Sequence, residues 1–309
     1  MSARRGVRVE VAGVSVSHPD RVLYPDEGIT KLDLARYYER IADWIVPHVV
    51  GRPLTLVRCP TGLSSQCFFM KHSNVWAPPA LRRVTIQEKT KQGTYLVADN
   101  LAAVISLVQM DVLEIHTWNS RIERIECPDR IVFDIDPGPA VSFDEVRNAA
   151  QLVRRMLQAV GLESFVKTTG GRGLHIVLPL QPRAEWSECL TFARGLAEVI
   201  EAHDPERFTT RFAKAGRERK LLIDYLRNNR TNTSIAAFSA RAKAHAPVSV
   251  PIAWSELTTR LDPASLTVKS VPTRLARARH DPWAEYGRTN QRLTRSMVAA
   301  VAEHRLSPA

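Results

Sequence analysis

The chain has 309 residues, 44% apolar and 24% charged, which is the composition of a globular protein of one large domain or two small ones. That excludes a wholly disordered chain, a fibrous repeat and a disulfide-stapled mini-protein. Lys plus Arg number 43 against 32 Asp plus Glu, a formal charge of +11; this calls for a polyanionic partner, nucleic acid first and an acidic membrane surface second, with general solubility as the alternative.

Residues 7–17 alternate apolar and polar around Gly13 and predict a hairpin. Thr30 is placed to cap a helix with Asp33 in its first turn, and Leu34, Tyr37, Tyr38, Ile41, Trp44 and Ile45 then recur at helical spacing as a core stripe. Residues 54–59 read as a strand, and residues 82–88 and 94–98 as a hairpin turning near Gly93. A short apolar helix over 101–110 precedes a strand over 113–118. Residues 131–136 form a strand stopped by Pro137-Gly138, and Ser142 with Glu145 is a capping box that opens a helix to about Val160. Strands over 165–168 and 174–178 are joined by a Gly-rich turn, and a long helix covers 184–203. Strands follow over 221–225 and 233–238. The chain beyond is Pro-spaced and helical in patches. Strands and helices interleave without a βαβ rhythm, which predicts an α+β fold with mixed or antiparallel sheets.

Cys59, Cys67, Cys127 and Cys189 make no C-x-x-C pair and have no zinc spacing with histidine, so they are expected to be small buried hydrophobes in a reducing compartment. Residues 1–6 lack an apolar stretch after their positive charges, and no segment approaches the ~18 apolar residues of a membrane helix. A cytoplasmic location with no membrane partner is expected.

The strongest chemical signal is Asp134-Ile-Asp136. Residues two apart on a strand share a face, so both acids project together while Ile131, Phe133 and Ile135 face the core. Two adjacent carboxylates repel unless a cation lies between them, and an all-oxygen donor set suits Mg²⁺ or Mn²⁺; an ordinary strand end with two exposed acids is the alternative. Asp224 is a third acid, inside the apolar Leu221-Leu-Ile-Asp-Tyr strand, where a lone carboxylate is costly unless paired or metal-bound. Three carboxylates from two strands would make a two-metal phosphoryl-transfer site.

Lys167-Thr-Thr-Gly-Gly-Arg-Gly-Leu-His175 brings backbone N–H groups close enough to cradle phosphate, with Thr169, Arg172 and His175 adding a hydroxyl, a charge and a ring; a tight hairpin turn needing glycine freedom is the competing reading. Residues 204–245 hold ten Lys or Arg and four Asp or Glu, a net +6, a nucleotide or nucleic-acid surface. Phe68-Phe69 beside Lys71 and His72 suits stacking on a base, although a strand would bury at least one ring. His116 suits a phosphate contact or a satisfied position in its strand.

These segments together resemble the polymerase domain of bacterial ligase D, of the archaeo-eukaryotic primase superfamily. The resemblance rests on His18-Pro-Asp-Arg-Val-Leu-Tyr-Pro, Gly51-Arg-Pro-Leu, Phe68-Phe69, His116-Thr-Trp, Asp134-Ile-Asp-Pro-Gly, the Lys167–His175 segment, Ile223-Asp-Tyr-Leu-Arg-Asn and Ser239-Ala-Arg241, in one order. It implies a single primase-polymerase-like domain over 1–309, with a core of about 7–260 and a C-terminal helical extension over 261–309. Two central, largely antiparallel or mixed sheets flanked by helices are expected, with the active site between them. It further implies template-directed, ribonucleotide-preferring gap filling and 3′-end extension at double-strand breaks. Asp134, Asp136 and Asp224 would hold Mn²⁺ or Mg²⁺. His116, Thr169, Arg172, His175, Arg227 and Arg241 would hold the incoming NTP or dNTP. Arg21 and Lys31 would form the pocket for a downstream 5′-phosphate, with Phe68, Phe69, Lys71 and Arg217 on DNA; Arg217, in a mobile loop, would order the site. Gapped DNA and DNA ends, Ku, a separate ligase and a dimer across a break are the implied partners, in the nucleoid of a bacterial cytoplasm. The family usually has Ser at Thr169 and often Lys at Arg172 or Arg21. No K-x-D-G ligation motif is present, so either a stand-alone polymerase or a part cut from a larger protein is expected. A primase, a silent end-bridging module and a metal-dependent phosphoesterase are the alternatives.

Overall fold

The computed structural model describes residues 7–73 and 77–302; residues 1–6, read above for a leader, lie outside the described residues. The expected hairpin is present as β1 (Arg8–Val11) and β2 (Val14–Ser17). After the antiparallel pair β3 (Val22–Tyr24) and β4 (Ile29–Thr30), Thr30 caps α1 (Lys31–Arg40). Its hydroxyl accepts from Asp33 N at 3.1 Å while Asp33 accepts from Thr30 N at 2.9 Å. The single helical stripe of the sequence becomes two helices, because Ile41 (φ −111°, ψ 23°) leaves helical geometry before α2 (Ala42–Val49).

Next come β5 (Leu54–Arg58), β6 (Pro60–Leu63), β7 (Phe68–Met70), β8 (Arg82–Gln87), β9 (Gln92–Val97), α3 (Leu101–Gln109) and β10 (Val112–Thr117). The β8–β9 hairpin turns over 88–91 rather than at Gly93, which pairs with Ile86 inside β9. β11 (Arg130–Pro137), α4 (Phe143–Ala159), β12 (Phe165–Thr168), β13 (Leu174–Pro179) and α5 (Trp186–His203) follow. The remainder is β14 (Phe208–Thr209), β15 (Leu221–Asp224), β16 (Ser234–Ile235), β17 (Pro251–Ile252), α6 (Val271–Arg277) and α7 (Arg295–Ala302). β14 and β17 are two residues long, too short to leave a periodic signal, and the strand expected over 233–238 shrinks to β16.

The chain divides into two compact units. One comprises the chain through Thr117 with Ile235–Ser249 and Ala264–Ala278; the other comprises Trp118–Ser234, Val250–Pro263 and the chain from Arg279 onward. The first is built on a four-stranded sheet of order β16-β10-β5-β7. Leu54, Leu56, Ile115, Tyr37 and Tyr38, all at most 1% exposed, form its core.

The second unit is built on a six-stranded sheet of order β14-β15-β11-β13-β12-β17, antiparallel except at the β14–β15 edge. α4 and α5 pack against β11, so Ile131, Val132, Phe133 and Ile135 are all buried. Each such side chain contributes about 1.5–3 kcal/mol, and this holds the acid-bearing strand rigid. The architecture is α+β, as expected. Among the described residues no helix is long and apolar enough to cross a membrane.

One expectation is corrected here. Cys59 and Cys67 form a disulfide, with Cα atoms 4.4 Å apart. β5 and β7 pair with Arg58 opposite Phe68, so the next step of the register sets the two cysteines opposite each other. The bridge depends on the pairing of two strands, which cysteine spacing alone does not reveal. Cys127 and Cys189 remain free thiols.

Candidate active site and nucleic-acid interface

In the second unit one row of residues crosses four strands. Lys167 on β12 lies opposite His175 on β13, His175 opposite Asp134 on β11, and Asp134 opposite Asp224 on β15. All four are buried, with Asp134 at 8% and Asp224 at 7% exposure. His175 Nε2 is 3.3 Å from Asp134 Oδ1. Arg227, one turn past β15, bridges both acids: its Nη2 is 3.0 Å from Asp134 Oδ2 and its Nε is 3.0 Å from Asp224 Oδ2. Leu226 N donates to Asp224 Oδ1 at 2.8 Å.

The electrostatics separate the two acids. Burial opposes charge on Asp134, yet the His175 ring and the Arg227 guanidinium hold its carboxyl well below the usual range. Burial pushes Asp224 up to about 6 against the pull of Arg227, and the neighbouring Asp134 adds to the rise. Burial, then the Lys167 charge, push His175 down to about 3, so its ring is neutral near pH 7. His175 Nδ1 is buried without a hydrogen-bond partner among the described residues.

Asp136, two residues on from Asp134, is half exposed and pairs with Arg217, whose Nη2 lies 2.8 Å from Asp136 Oδ2. The 217–220 backbone straps this strand end: Gly138 N donates to Lys220 O and Ala140 N to Glu218 O, both at 2.9 Å. A Cβ at Gly138 would collide with Arg217 O, so glycine is required there.

The donor chemistry of these acids fits a hard divalent cation. Two opposed carboxylates share one guanidinium, and burial together with the neighbouring Asp134 charge pushes Asp224 toward protonation. The geometry gathers only two of the three acids, because Asp136 is turned to Arg217; among the described residues no three His, Cys, Asp or Glu side chains stand as a metal-holding cluster.

The Gly-rich segment is the β12–β13 turn. Gly170 sits at φ 67°, and Thr169 Oγ1 donates to Gly173 O at 3.1 Å. Arg172 donates to the carbonyls of Gly138, Pro139 and Val141, the Pro139 bond being 3.0 Å. Arg172 therefore braces the backbone that follows Asp136, and Thr169 braces the Gly-rich turn itself.

The first unit holds the other predicted residues. Glu114, 5% exposed on β10, clamps two of them. Its Oε1 accepts from Arg241 Nε and Ala242 N, both at 2.9 Å, and its Oε2 lies 2.8 Å from His116 Nε2. Burial opposes the charge, but His116 and Arg241 draw the Glu114 carboxyl down to about 2. An ionised carboxylate only accepts, so His116 carries its proton on Nε2. The Phe69 ring meets His116 edge-on at 6.0 Å. Phe68 and Phe69 are 44% and 72% exposed, which corrects the expectation that one would be buried; among the described residues β7 pairs only with β5. Lys71 Nζ is 3.2 Å from Glu88. Lys31 Nζ and Arg21 Nη1 meet at one oxygen, Asp111 Oδ1, at 2.8 and 3.0 Å.

Known proteins resemble this chain in sequence and fold. The family description "LigD, primase-polymerase domain" fits residues 30–283. The chain belongs to the LigD primase-polymerase domain family. It is 36% identical over 291 residues to the multifunctional non-homologous end joining protein LigD of Pseudomonas aeruginosa, covering 94% of this chain and 35% of that protein. It is 34% identical over 274 residues to the multifunctional non-homologous end joining DNA repair protein LigD of Mycobacterium tuberculosis, covering 85% of this chain and 36% of that one. The chain thus spans about a third of the length of these LigD proteins. The solved polymerase domain of Mycobacterium tuberculosis ligase D in complex with DNA superposes with a TM-score of 0.79 at 33% identity, covering 85% of this chain and 94% of that one.

Sequence reasoning missed two residues of this LigD-type domain. Glu114 is a lone acid in an apolar strand, the signal that singled out Asp224. Asp111 follows α3 at φ 61°, where Gly or Asn is the usual choice.

Proposed function

We propose that this LigD-type domain is a template-directed nucleotidyltransferase that extends 3′ ends and fills gaps at DNA double-strand breaks, preferring ribonucleotides. The observation that carries the reading is the buried pair Asp134–Asp224 on adjacent strands, with Asp136 two residues on from Asp134. Asp134, Asp136 and Asp224 would hold Mn²⁺ or Mg²⁺, which in a phosphoryl-transfer site activates the primer 3′-hydroxyl and neutralises triphosphate charge. Asp136 joins that set by exchanging Arg217 for the cation, so Arg217 orders the site by holding this acid in place beforehand. Neutral His175 and Arg227 orient the nucleotide at the acids, and Arg241 and His116 bind it as well. Arg21 and Lys31 recognise the 5′-phosphate across a gap, while Phe68, Phe69 and Lys71 engage the DNA. Ku, a separate ligase and a second copy across the break are the further partners of this reading.

The test is primer extension on a gapped duplex carrying a 5′-phosphate, comparing rNTP with dNTP and Mn²⁺ with Mg²⁺. Template-matched addition favouring rNTP is expected. No addition under any condition, with gap binding intact, would replace the polymerase with an end-bridging module.

A further inference from the structure

Lys31 and Asp111 both break the local rules of their helices. Lys31 is the first residue of α1, where the helix dipole disfavours a cation, and Asp111 directly follows the C-terminal end of α3, where it disfavours an anion. Asp111 also adopts φ 61°, a left-handed conformation that Gly or Asn takes more readily. Lys31 is 1% exposed. A buried ammonium persists only with partners, and Lys31 Nζ has two, Asp111 Oδ1 at 2.8 Å and Gln109 O at 2.8 Å. Burial lowers the Lys31 pKa, and Asp111 works against that fall. The same oxygen of Asp111 holds Arg21 Nη1 at 3.0 Å, and Arg21 also donates to Pro60 O at 2.6 Å. Both helix ends are set against their own dipoles and toward each other. Sites where local propensity yields in this way are where function is to be sought.

Two cations on one carboxylate leave a net positive charge at an anion site. The two cations are not equivalent, however. Arg21 keeps 28% of its side chain exposed, whereas Lys31 is enclosed. Arg21 therefore presents the more accessible charge to an incoming phosphate, with the charge of Lys31 enclosed behind it. Resting on the 5′-phosphate reading above, we propose that Asp111 is the positioning residue of this site. It keeps the enclosed Lys31 charged and fixes the guanidinium of Arg21, which makes the contact with the terminal phosphate of the downstream strand.

Asp111→Asn is the informative variant. Asn is nearly isosteric and takes the left-handed conformation readily, so the backbone is preserved. Without the carboxylate, Lys31 loses its counter-ion and Arg21 its anchor. The experiment compares Kd for one gapped duplex carrying a 5′-phosphate or a 5′-hydroxyl, in the wild type, Asp111→Asn and Asp111→Glu, with melting temperatures in parallel. The wild type is expected to favour the phosphorylated gap by roughly tenfold, the equivalent of one charge-assisted contact. Asp111→Asn should bring that ratio toward one at a near-native melting temperature, and Asp111→Glu should recover part of it. A wild-type ratio in Asp111→Asn overturns the proposal, as does a raised ratio, which would make Asp111 a competitor of the phosphate. A melting temperature that falls along with the ratio, without recovery in Asp111→Glu, also overturns it by reducing the residue to a structural one. A wild-type ratio of one would instead remove the 5′-phosphate site itself and leave the polymerase reading to the extension assay.

Discussion

Asp134 and Asp224 face each other across the β11–β15 pair and are joined by the single guanidinium of Arg227. Burial raises the pKa of Asp224 to about 6, and the charge of Asp134 adds to the rise. Asp134→Asn removes the charge and keeps the volume. We expect nucleotide incorporation to fall about 10³-fold, the several kcal/mol that charge stabilisation at a phosphoryl-transfer site supplies. Binding of gapped DNA should stay near wild type. Single-turnover extension beside equilibrium binding checks this, and retained incorporation would sink the assignment of the acids.

Phe69 is exposed to 72% on β7, a strand that among the described residues pairs only with β5, so truncating it should hardly touch the fold. Phe69→Ala is expected to change stability by no more than about 0.5 kcal/mol. Loss of a stacking platform should weaken gapped-DNA affinity by about 1–3 kcal/mol. Fluorescence anisotropy with labelled gaps measures it. An affinity within twofold of wild type, on the order of 0.4 kcal/mol, would take the ring out of the interface.

Much of this site is legible in the sequence because it lies on strands. Alternation put Asp134 and Asp136 on one face, and an apolar run flagged Asp224 as a costly acid. The sequence pattern could not say that Asp136 turns to Arg217, because that contact is set by the 217–220 strap closing over Gly138. Nor could it say that Arg172 braces carbonyls, since backbone acceptors leave no mark in a sequence. Phe68 and Phe69 are both exposed because β7 is an edge strand, and edges follow from pairing rather than from composition. Glu114 and Asp111 were legible in principle, each being a charged residue where local rules want another, but their partners Arg241 and Lys31 lie 127 and 80 residues away.

Glu114 gives the acid limb of stability a defined origin. Its carboxyl lies at about 2 in the folded chain against an ordinary 4.5. A lowered carboxyl pKa contributes stability that is present above the unfolded value, so it is lost as pH falls from about 4.5 through about 2. The linked stabilisation is on the order of 3 kcal/mol. Glu114→Gln should be less stable than wild type at pH 7, and the gap should close across that window. Urea denaturation at successive pH values tests this; a constant gap from pH 7 to pH 2.5 would show that the clamp acts through shape rather than charge.

The Cys59–Cys67 bridge ties β5 to β7 directly beside the exposed phenylalanines. It closes a loop with a sequence separation of only 8, so the chain-entropy contribution is modest, about 2–3 kcal/mol. For a chain of this size that corresponds to roughly 5 °C in melting temperature. Dithiothreitol should therefore lower the melting temperature of the wild type by about that amount, while the Cys59→Ser, Cys67→Ser double variant melts at the lower temperature with or without reductant. Among the described residues β7 has no second strand neighbour to hold it once the bridge opens, so hydrogen exchange at Phe68, Phe69 and Met70 should rise on reduction. Exchange in β11, which is paired on both sides in the other unit, should not change. Equal melting with and without reductant, and unchanged exchange at β7, would mean that the β5–β7 ladder and its packing alone hold the aromatic pair in place.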